Sequence, residues 1–465
     1  MKSLSINDKW YLKRGKPQKV LILGAGMAGM AAGIELIKLG HDVKIIEGQT
    51  RAGGRVETIR IPSKENLYAN LGASRIPGNH EWTMKYINQY NLQLHPFNPL
   101  EGEYIHMFNG KRIRYTYDQP ADFSNYPVEL TQKELAMGWQ RIFSTPLKNL
   151  IINMGDPKSL AWPPEKISKY DIYSFKEYLD LAGYSRSISD LINIGWETEQ
   201  GMDMSILQFM RTSILSYGAI KYKIVGGSDL LPMKMAEDLA KNIQYGTKVI
   251  DLYQDEKKVS VIVSGRTERQ TLTADRVICA LPLTVIRKMN FVKFLSKEKQ
   301  KAIREMTYWN LSKTILQVSN RYWKKEGLNG FAATNRPMEV WDPNYESSEK
   351  RGLIVAYMKD DDSRLMTKLS DQERLNFVSN QVNKVFPNLF DHLEHSYTKN
   401  WGEDPWALGG YSINTRGQMT TLLPHLIKPE GRIYFAGEHA SAYHGWIQGA
   451  IESGNRAAKE INSFE

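Results

Sequence analysis

The sequence predicts an α/β fold that combines a discontinuous Rossmann-like domain, a mixed-sheet domain and a helical subdomain. Three observations support this fold class. Near the N-terminus an apolar strand, a glycine-rich turn, a helix and a second strand follow one another within about thirty residues. Strand, glycine and helix features recur over residues 222–306 and 425–465. Residues 116–221, in contrast, carry Leu, Ile, Met and Trp at helical spacing without strand alternation.

Composition narrows the class of protein. A chain of 465 residues exceeds what one hydrophobic core fills, and 42% apolar with 24% charged residues excludes disordered, collagen-like and coiled-coil proteins. Cys279 is the single cysteine, so an intramolecular disulfide and a cysteine-based zinc cluster are also excluded. The N-terminus has no apolar signal segment and no run of about 20 apolar residues follows, so we expect a cytoplasmic protein.

The net charge of +10 raises nucleic acid, anionic membranes and anionic ligands as partners. The densest basic stretch, Lys111 to Arg114, alternates with apolar residues, which is typical of a strand rather than a phosphate-binding arm. We therefore expect no nucleic-acid partner, while association with a membrane surface is left open. His392 and His395 lack a third ligand cluster and lie in what reads as a solvated helix end, so we expect no metal site.

The N-terminal strand-turn-helix unit carries the first chemical signal. Residues 19–23 form a continuous apolar strand of the kind that a parallel sheet buries on both faces. Gly24 allows the tight turn, Gly26 lets the backbone approach a pyrophosphate, and Gly29 permits close packing of helix on strand. Glu47 ends the second strand, where a carboxylate can accept both ribose hydroxyls of an adenosine. This order of features predicts dinucleotide binding.

A second glycine pair, Gly53-Gly54, follows and ends in Arg55. Adjacent glycines let the chain pass close to a ligand, and Arg55 offers fixed positive charge to the pyrophosphate. With Glu47 before it, this arrangement resembles the opening of the flavin-containing amine oxidase superfamily. Residues 68–77 resemble the stretch with which L-amino acid oxidases bring an arginine to the substrate carboxylate.

The resemblance continues toward the C-terminus. Residues 224–232 match the start of the second flavin-domain segment, and residues 435–439 and 444–454 match the closing flavin-binding motif. The distribution of motifs implies that the chain passes back and forth between three parts. The FAD-binding domain would comprise residues 15–75, 222–306 and 425–465, and the substrate-binding domain residues 76–115 and 307–424. Residues 116–221 would form a helical subdomain that walls the substrate entrance.

The fingerprint and the resemblance together assign a set of residues to FAD. They are Gly24, Gly26, Met27, Ala28, Gly29, Glu47, Gly54, Arg55, Gly72, Ala73, Ser74, Arg75, Val249, Trp401, Gly437, Glu438, Gly445, Trp446 and Ile447. In related monoamine oxidases a cysteine near the closing motif tethers the flavin, whereas Gly410 precedes Tyr411 here and Cys279 lies far from that motif. The resemblance therefore implies non-covalent FAD.

The resemblance also implies catalytic and substrate-binding residues. Arg75 would bind an α-carboxylate bidentately and orient the Cα hydrogen. Lys313 would hold a water near the flavin and assist reoxidation or imine hydrolysis. Tyr411 and Trp446, the latter with its neighbour Gly445, would flank the substrate amine as an aromatic cage that excludes water.

One segment departs from the L-amino acid oxidase pattern. Residues 340–344 replace a segment whose tyrosine contacts the carboxylate, and that tyrosine is missing. In one arrangement Asp342 faces the cavity, where it would repel a carboxylate or pair with a cation. In the other, Trp341 lines the pocket and leaves Arg75 as the main carboxylate anchor.

The resemblance implies oxidative deamination of an L-amino acid. Hydride would pass from Cα to flavin N5, water would hydrolyse the imino acid to a 2-oxo acid and ammonia, and dioxygen would become hydrogen peroxide. The alternatives are an amine or polyamine oxidase, an oxidative decarboxylase of an aromatic amino acid, and a flavin-binding partner protein without turnover. Arg75 discriminates against a simple amine, because such a substrate has no carboxylate to use it. A small-molecule substrate and dioxygen are the expected partners, and we expect a homodimer.

Overall fold

The computed structural model describes residues 15–61, 66–142, 144–195, 201–216, 218–265, 267–334 and 338–463. In chain order its strands are β1 (Lys19–Leu23), β2 (Asp42–Ile46), β3 (Thr58–Arg60), β4 (Tyr68–Asn70), β5 (Ile76–Pro77), β6 (Leu94–Pro96), β7 (Glu103–Phe108), β8 (Lys111–Tyr115), β9 (Lys221–Ile224), β10 (Ile243–Gln244), β11 (Lys248–Gln254), β12 (Val259–Ser264), β13 (Arg269–Ala274), β14 (Arg276–Cys279), β15 (Thr307–Trp309), β16 (Leu311–Val318), β17 (Leu328–Thr334), β18 (Met338–Trp341), β19 (Gly352–Lys359), β20 (Leu393–Asn400), β21 (Tyr411–Ile413) and β22 (Ile433–Phe435).

The α-helices are α1 (Met27–Lys38), α2 (Glu81–Gln89), α3 (Gln132–Leu135), α4 (Gly138–Arg141), α5 (Ser144–Ile152), α6 (Glu165–Ser168), α7 (Phe175–Leu181), α8 (Arg186–Gly195), α9 (Ile206–Leu215), α10 (Leu230–Asp238), α11 (Leu283–Ile286), α12 (Lys297–Glu305), α13 (Asp360–Met366), α14 (Asp371–Val385), α15 (Gln418–Thr421), α16 (Leu423–Ile427) and α17 (Ile447–Asn462). Short 3-10 helices cover Phe123–Asn125, Lys169–Ile172, Gly201–Asp203, Asn290–Phe294, Tyr322–Glu326, Leu389–Asp391 and Glu438–Ala440. Within the described ranges, no helix combines the length and the apolar character needed to cross a bilayer.

A five-stranded parallel sheet has the strand order β10–β2–β1–β14–β22. Its strands come from three separated parts of the chain, since β14 pairs with β1 on one side and with β22 on the other. Alternate residues of β1 pack toward opposite faces, Val20 against α1 and α17 and Leu21 against the antiparallel strands β11 to β13. A discontinuous Rossmann-like sheet, covered on both faces, is therefore confirmed.

A seven-stranded mixed sheet has the order β20–β16–β19–β18–β17–β7–β8. Its β7–β17 pair is parallel and its other pairs are antiparallel. The basic stretch at Lys111 forms β8, as its alternation predicts. The expectation of a helix end at residues 391–395 is wrong, because β20 begins at Leu393 and His395 pairs with Gln317 of β16.

Helices α3 to α9 form a helical layer whose apolar core also takes in residues of the mixed sheet, among them Phe108 and Ile113. The rings of Phe175 and Phe209 stack at its centre with 3.7 Å between their centroids. Helix α7 begins with a capping box in which Ser174 and Glu177 satisfy each other's backbone N–H groups. The mixed sheet and the helical subdomain are thus confirmed as parts of the fold, while the numerical domain boundaries stay a prediction.

Candidate active site

A cavity of about 560 Å³ lies between the parallel sheet, the mixed sheet and α9. Of the residues assigned from the sequence, those that line it are Gly24, Gly26, Met27, Ala28, Glu47, Gly54, Arg55, Gly72, Ala73, Ser74, Arg75, Val249, Lys313, Trp341, Trp401, Tyr411, Gly437, Glu438, Gly445, Trp446 and Ile447. The nucleotide-side wall is here the part formed by Gly24, Gly26 and Glu47, and the sheet-side wall is the part formed by Arg75, Lys313, Trp341 and Tyr357. Gly29 lies outside the lining.

The N-terminus of α1 opens onto the nucleotide-side wall. Gly24 turns the chain with a φ of +100°, and its N–H donates to the Ile46 carbonyl oxygen at 2.8 Å. Gly26 caps the helix, and a Cβ placed there would meet no atom within 4 Å, so open space lies at the first turn. A Cβ on Gly29 would instead lie 2.0 Å from the Gly24 carbonyl oxygen. Gly26 thus provides room for an anionic group at a helix N-terminus, and Gly29 provides packing.

Glu47 presents a buried carboxylate to the same wall. Its Oε2 accepts from the Ala25 N–H and its Oε1 from the Gln49 N–H, each at 2.7 Å. Burial raises the pKa of Glu47, and the two backbone hydrogen bonds oppose that rise. Each carboxylate oxygen can accept a further hydrogen bond, which suits a ribose with two hydroxyls.

Arg55 reaches the cavity as one half of an ion pair. Its Nη1 donates to Glu438 Oε1 at 2.9 Å and to the Gly410 carbonyl oxygen at 2.7 Å. Burial would raise the pKa of Glu438, but Arg55, together with His439 and His444, lowers it to about 2. The charge of Arg55 is therefore compensated by the closing motif, and its contact with a pyrophosphate stays a prediction.

A chain of hydrogen bonds leads from Glu438 to α9. Ser412 Oγ donates to Glu438 Oε2 at 2.7 Å and lies 2.8 Å from His444 Nδ1. Asn414 Nδ2 lies 3.2 Å from His444 Nε2 and donates to Gln208 Oε1 at 2.7 Å. Because the Ser412 proton is directed to Glu438, the His444 proton resides on Nδ1 and Nε2 accepts. Burial lowers the pKa of His444 to about 4, so the ring is neutral.

Arg75 is fixed in the sheet-side wall by two aromatic rings and an acid. Its guanidinium carbon lies 4.7 Å from the ring centre of Phe97 and 5.1 Å from that of Trp341. Its Nη2 donates to Glu339 Oε2. The side chain is 11% exposed, so these contacts restrict its motion while the residue still lines the cavity.

Lys313 joins the sheet-side wall to the segment that carries Arg75. Its Nζ donates to the Asn70 carbonyl oxygen at 3.0 Å, to the Gly72 carbonyl oxygen at 2.6 Å and to Ser74 Oγ at 2.6 Å. These three acceptors match the three N–H bonds of an ammonium group. The lysine therefore ties β16 to residues 70–74.

The two arrangements left open for residues 341 and 342 are resolved by the structure. Trp341 lines the cavity, whereas Asp342 is fully buried outside it. Asp342 Oδ2 accepts from Arg321 Nε at 2.8 Å, and its Oδ1 accepts from the Asn344 N–H at 2.8 Å. Trp341 ends β18 and Asp342 directly follows it, where its N–H still donates to the Gly330 carbonyl oxygen at 3.1 Å, so strand alternation turns the two side chains to opposite sides.

Tyr411 and Trp446 line the same cavity from β21 and from the N-terminal cap of α17. Gly445 has a φ of +76°, and a Cβ there would lie 3.1 Å from the ring of Tyr411. The indole of Trp446 packs edge-on against the imidazole of His80, with 5.1 Å between ring centroids. Both aromatics are thus near the site, and the cage that they would form stays a prediction.

Sequence reasoning missed several residues at the site. Gln208 and Thr212 of α9 and the indole of Trp406 line the cavity, and Glu339 holds Arg75. Only Glu339 could have been found from the sequence, since it stands two residues before Trp341 and strand alternation places both side chains on one face. The others had no local signal.

Residues 27–462 match the family described as flavin containing amine oxidoreductase. The chain belongs to this family. Among its relatives, an L-amino-acid oxidase of Protobothrops flavoviridis is 31% identical over 470 residues, which covers 99% of this chain and 92% of the relative. L-amino-acid oxidase BmooLAAO-I of Bothrops moojeni is 30% identical over 458 residues, 96% of this chain and 90% of the relative.

A solved structure of wild-type putrescine oxidase bound to putrescine superposes with a TM-score of 0.79 over 96% of this chain and 99% of that one. At 22% identity this likeness shows the fold alone, and it confirms the amine oxidase fold. Membership of the flavin-containing family implies a flavin cofactor. The described residues fit such a group, since the cavity offers open space at a helix N-terminus beside a buried carboxylate.

Proposed function

We propose that this flavoenzyme is an L-amino acid oxidase that converts an L-amino acid, water and dioxygen into a 2-oxo acid, ammonia and hydrogen peroxide. The observation that carries the proposal is Arg75, whose guanidinium is held in the cavity wall between Phe97 and Trp341. A guanidinium binds an α-carboxylate through two parallel hydrogen bonds and so fixes the substrate Cα. The names of the two relatives support the same substrate class.

FAD would be held in this cavity without a covalent bond. Glu47 would accept the ribose hydroxyls, and the first turn of α1 at Gly26 would take the pyrophosphate. Gly410 offers no nucleophile. The expectation that Cys279 lies far from the closing motif is wrong, since it pairs in register with Phe435, but Cys279 does not line the cavity and burial raises the pKa of its thiol to about 11. Bound FAD supplies the two-electron oxidation and returns the electrons to dioxygen.

The aromatic residues of the cavity would position the amine. Tyr411 and Trp446 would lie on either side of the substrate nitrogen and exclude water from it, which favours the neutral amine. Gln208 and Thr212 would close the cavity from the helical side. The substrate is thereby held at its carboxylate and at its amine, which leaves Cα in one orientation.

The contacts of Lys313 bear on the part that we propose for it in the reaction. A water held by Lys313 has to replace one of its three protein acceptors, and Ser74 Oγ is the one that can rotate away. We therefore assign Lys313 two tasks, which are to hold residues 70–74 in place and to exchange Ser74 for the water that hydrolyses the imino acid.

An amine or polyamine oxidase is the second candidate. The observation that favours it is the ion pair between Arg75 and Glu339, because an arginine that already has an acidic partner can serve structure alone. An oxidative decarboxylase of an aromatic amino acid would use Arg75 as the oxidase does and would differ in its products. A flavin-binding protein without turnover would show no reduction by any of these compounds.

Anaerobic reduction of the flavin by the twenty L-amino acids and by common monoamines and polyamines tests these candidates. We expect L-amino acids to bleach the flavin absorbance of the wild-type protein. Arg75→Ala should lower the second-order rate of reduction roughly 100-fold or more, because a buried charged partner of the carboxylate is lost. Arg75→Lys is the matched control, since it keeps the charge but not the bidentate geometry, and its loss should be intermediate.

Three outcomes separate the candidates. Reduction by amines alone, unchanged in Arg75→Ala, contradicts the amino-acid proposal and leaves the amine oxidase. Carbon dioxide release in place of a 2-oxo acid identifies the decarboxylase. Peroxide formed on admission of air distinguishes an oxidase from a dehydrogenase with another acceptor. A homodimer, a cytoplasmic location and the absence of a nucleic-acid partner stay predictions.

A further inference from the structure

An acidic side chain lies on the face of the mixed sheet that lines the cavity. Glu339 of β18 stands opposite Tyr357 of β19, which in turn stands opposite Lys313 of β16. Residues in register share a face of the sheet, as do residues two apart on one strand. Glu339 therefore shares its face with Trp341 and with Lys359, although the proposed reaction needs no acid there.

Glu339 is shared between two cations. Its Oε2 accepts from Arg75 Nη2 and its Oε1 accepts from Lys359 Nζ. All three side chains are buried or nearly so, at 9% exposed for Glu339, 11% for Arg75 and 3% for Lys359. Burial would raise the pKa of Glu339, but Arg75 and Lys359 lower it to about 2, so the carboxylate is ionised. Two cations and one anion give the cluster a net charge of +1.

A neighbouring buried pair has a different ratio of charges. Asp342 and Arg321 form a balanced ion pair, with 2.8 Å between Oδ2 and Nε, and Asp342 lies outside the cavity. Glu339 and Asp342 are three positions apart in the chain, and each is buried beside an arginine. Glu339 differs in having Lys359 as a second cationic partner, on the side where Arg75 lines the cavity.

We propose that Glu339 and Lys359 set the charge that Arg75 presents to a substrate carboxylate, with Glu339 as the positioning residue for the guanidinium. The inference rests on the proposed function, since it assigns the cluster to carboxylate recognition. The net charge of +1 on the cluster attracts an α-carboxylate, and Lys313 in the same wall is left unchanged in every variant. Loss of the Glu339 charge raises the cluster to +2, and loss of Lys359 lowers it to zero, so the two changes act on a bound carboxylate in opposite directions. A merely structural cluster would respond to both changes with the same sign.

The test is calorimetric titration of the flavin-loaded protein with benzoate, an aromatic monocarboxylate, and with benzamide as its uncharged counterpart. Glu339→Gln should tighten the Kd for benzoate and Lys359→Met should weaken it, each on the order of tenfold. The double variant Glu339→Gln/Lys359→Met restores the net charge of +1 and should return the Kd close to that of the wild type. The Kd for benzamide should stay unchanged in all three variants.

Asp342→Asn is the matched control, because it removes a buried acid near the end of β18 outside the cavity and should leave the Kd for benzoate unchanged. Shifts of the same sign in Glu339→Gln and Lys359→Met, or no shift in either, overturn the inference while amino acids still reduce the flavin. A wild-type protein that binds no benzoate and is reduced by amines alone overturns the proposed function as well. If Glu339→Gln does not fold, the inference stands only if Lys359→Met weakens benzoate binding and the double variant restores it.

Discussion

The nucleotide-side and sheet-side walls of the cavity are built by different means. Gly24, Gly26 and Glu47 belong to one strand-turn-helix-strand unit, and the Glu47 carboxylate accepts from backbone N–H groups within or next to that unit. In the sheet-side wall, Arg75 and its partner Glu339 stand 264 positions apart. A binding site at a helix N-terminus can therefore be encoded in one short stretch, whereas the net charge of a pocket is encoded by residues that no local pattern connects.

The largest effect is expected in the nucleotide-side wall, where backbone is packed on backbone. In Gly29→Ala the new methyl group would lie 2.0 Å from the Gly24 carbonyl oxygen, so the turn has to shift. We expect a loss of about 3 kcal/mol in the free energy of unfolding and protein largely free of flavin. Thermal unfolding measures the loss of stability, and the ratio of flavin to protein absorbance measures the flavin content.

Gly26→Ala is the companion variant, since its methyl group meets no protein atom within 4 Å. It should keep the stability of the flavin-free protein and lose affinity for the flavin, because the methyl group occupies the space at the first turn of α1. Full flavin content in Gly26→Ala would mean that the cofactor does not approach this turn. Unchanged stability in Gly29→Ala would show that the packing contact is dispensable.

A smaller effect is expected in the sheet-side wall, where Lys313 is hydrogen-bonded to residues 70–74. Lys313→Met removes the donor to two backbone carbonyls and to Ser74, which leaves buried acceptors without that partner. We expect about 2 kcal/mol of destabilisation and a raised KM for amino acids, because residues 70–74 carry Arg75. Denaturant unfolding and steady-state kinetics measure these changes. Lys399→Met, which removes a more exposed lysine paired with Glu57 and Asp404, should cost less, and equal losses would contradict the assignment.

The smallest effect concerns the neutral histidine in the chain between Glu438 and α9. Burial lowers the pKa of His444 from 6.5 to about 4. Between these values the unfolded chain binds a proton that the native protein does not, so the free energy of unfolding falls as the pH falls. One histidine contributes up to about 1.4 kcal/mol per pH unit. His444→Asn should show a shallower fall between pH 6.5 and 5.

Denaturant unfolding at several pH values measures that slope. Glu438 does not interfere in this window, since Arg55 and the neighbouring histidines hold its pKa at about 2 against the effect of burial. An identical slope in the wild type and in His444→Asn would mean that the ring titrates alike in both states.

The parts of the molecule that were predictable are those whose signals are consecutive in the chain. The nucleotide-side unit is an example, because β1, the glycine turn, α1 and Glu47 follow one another in the sequence. The hydrophobic pattern and the turn residues were therefore sufficient to predict this unit. The position of Arg75 came from the resemblance of residues 68–77 to the amine oxidase family. Trp341 and Asp342 could not be told apart beforehand, because the register of β18 decides which of them faces the cavity.

Long-range pairing accounts for what was missed. The segment at His395 looks like a solvated helix end by its polarity, but pairing with Gln317 makes it a strand. Alternation with Trp341 indicates the face on which Glu339 lies but not how its charge is compensated, since both of its cationic partners come from other strands or segments. Charge compensation of this kind depends on the tertiary structure, which single-sequence patterns do not contain.

The interleaved parallel sheet also determines when this protein can acquire its cofactor during synthesis. β22 and α17 lie near the C-terminus, yet β22 completes one side of β14, and a Cβ on Gly454 of α17 would lie 2.2 Å from the Ala28 carbonyl oxygen of α1. A nascent chain on the ribosome therefore exposes the edge of β14 and the apolar face of α1 until residues 433–462 have been synthesised. Such exposed edges and faces favour aggregation and chaperone binding. Slow, cool expression with ample flavin should accordingly raise the fraction of loaded enzyme, and a chain truncated before Ile433 should yield none.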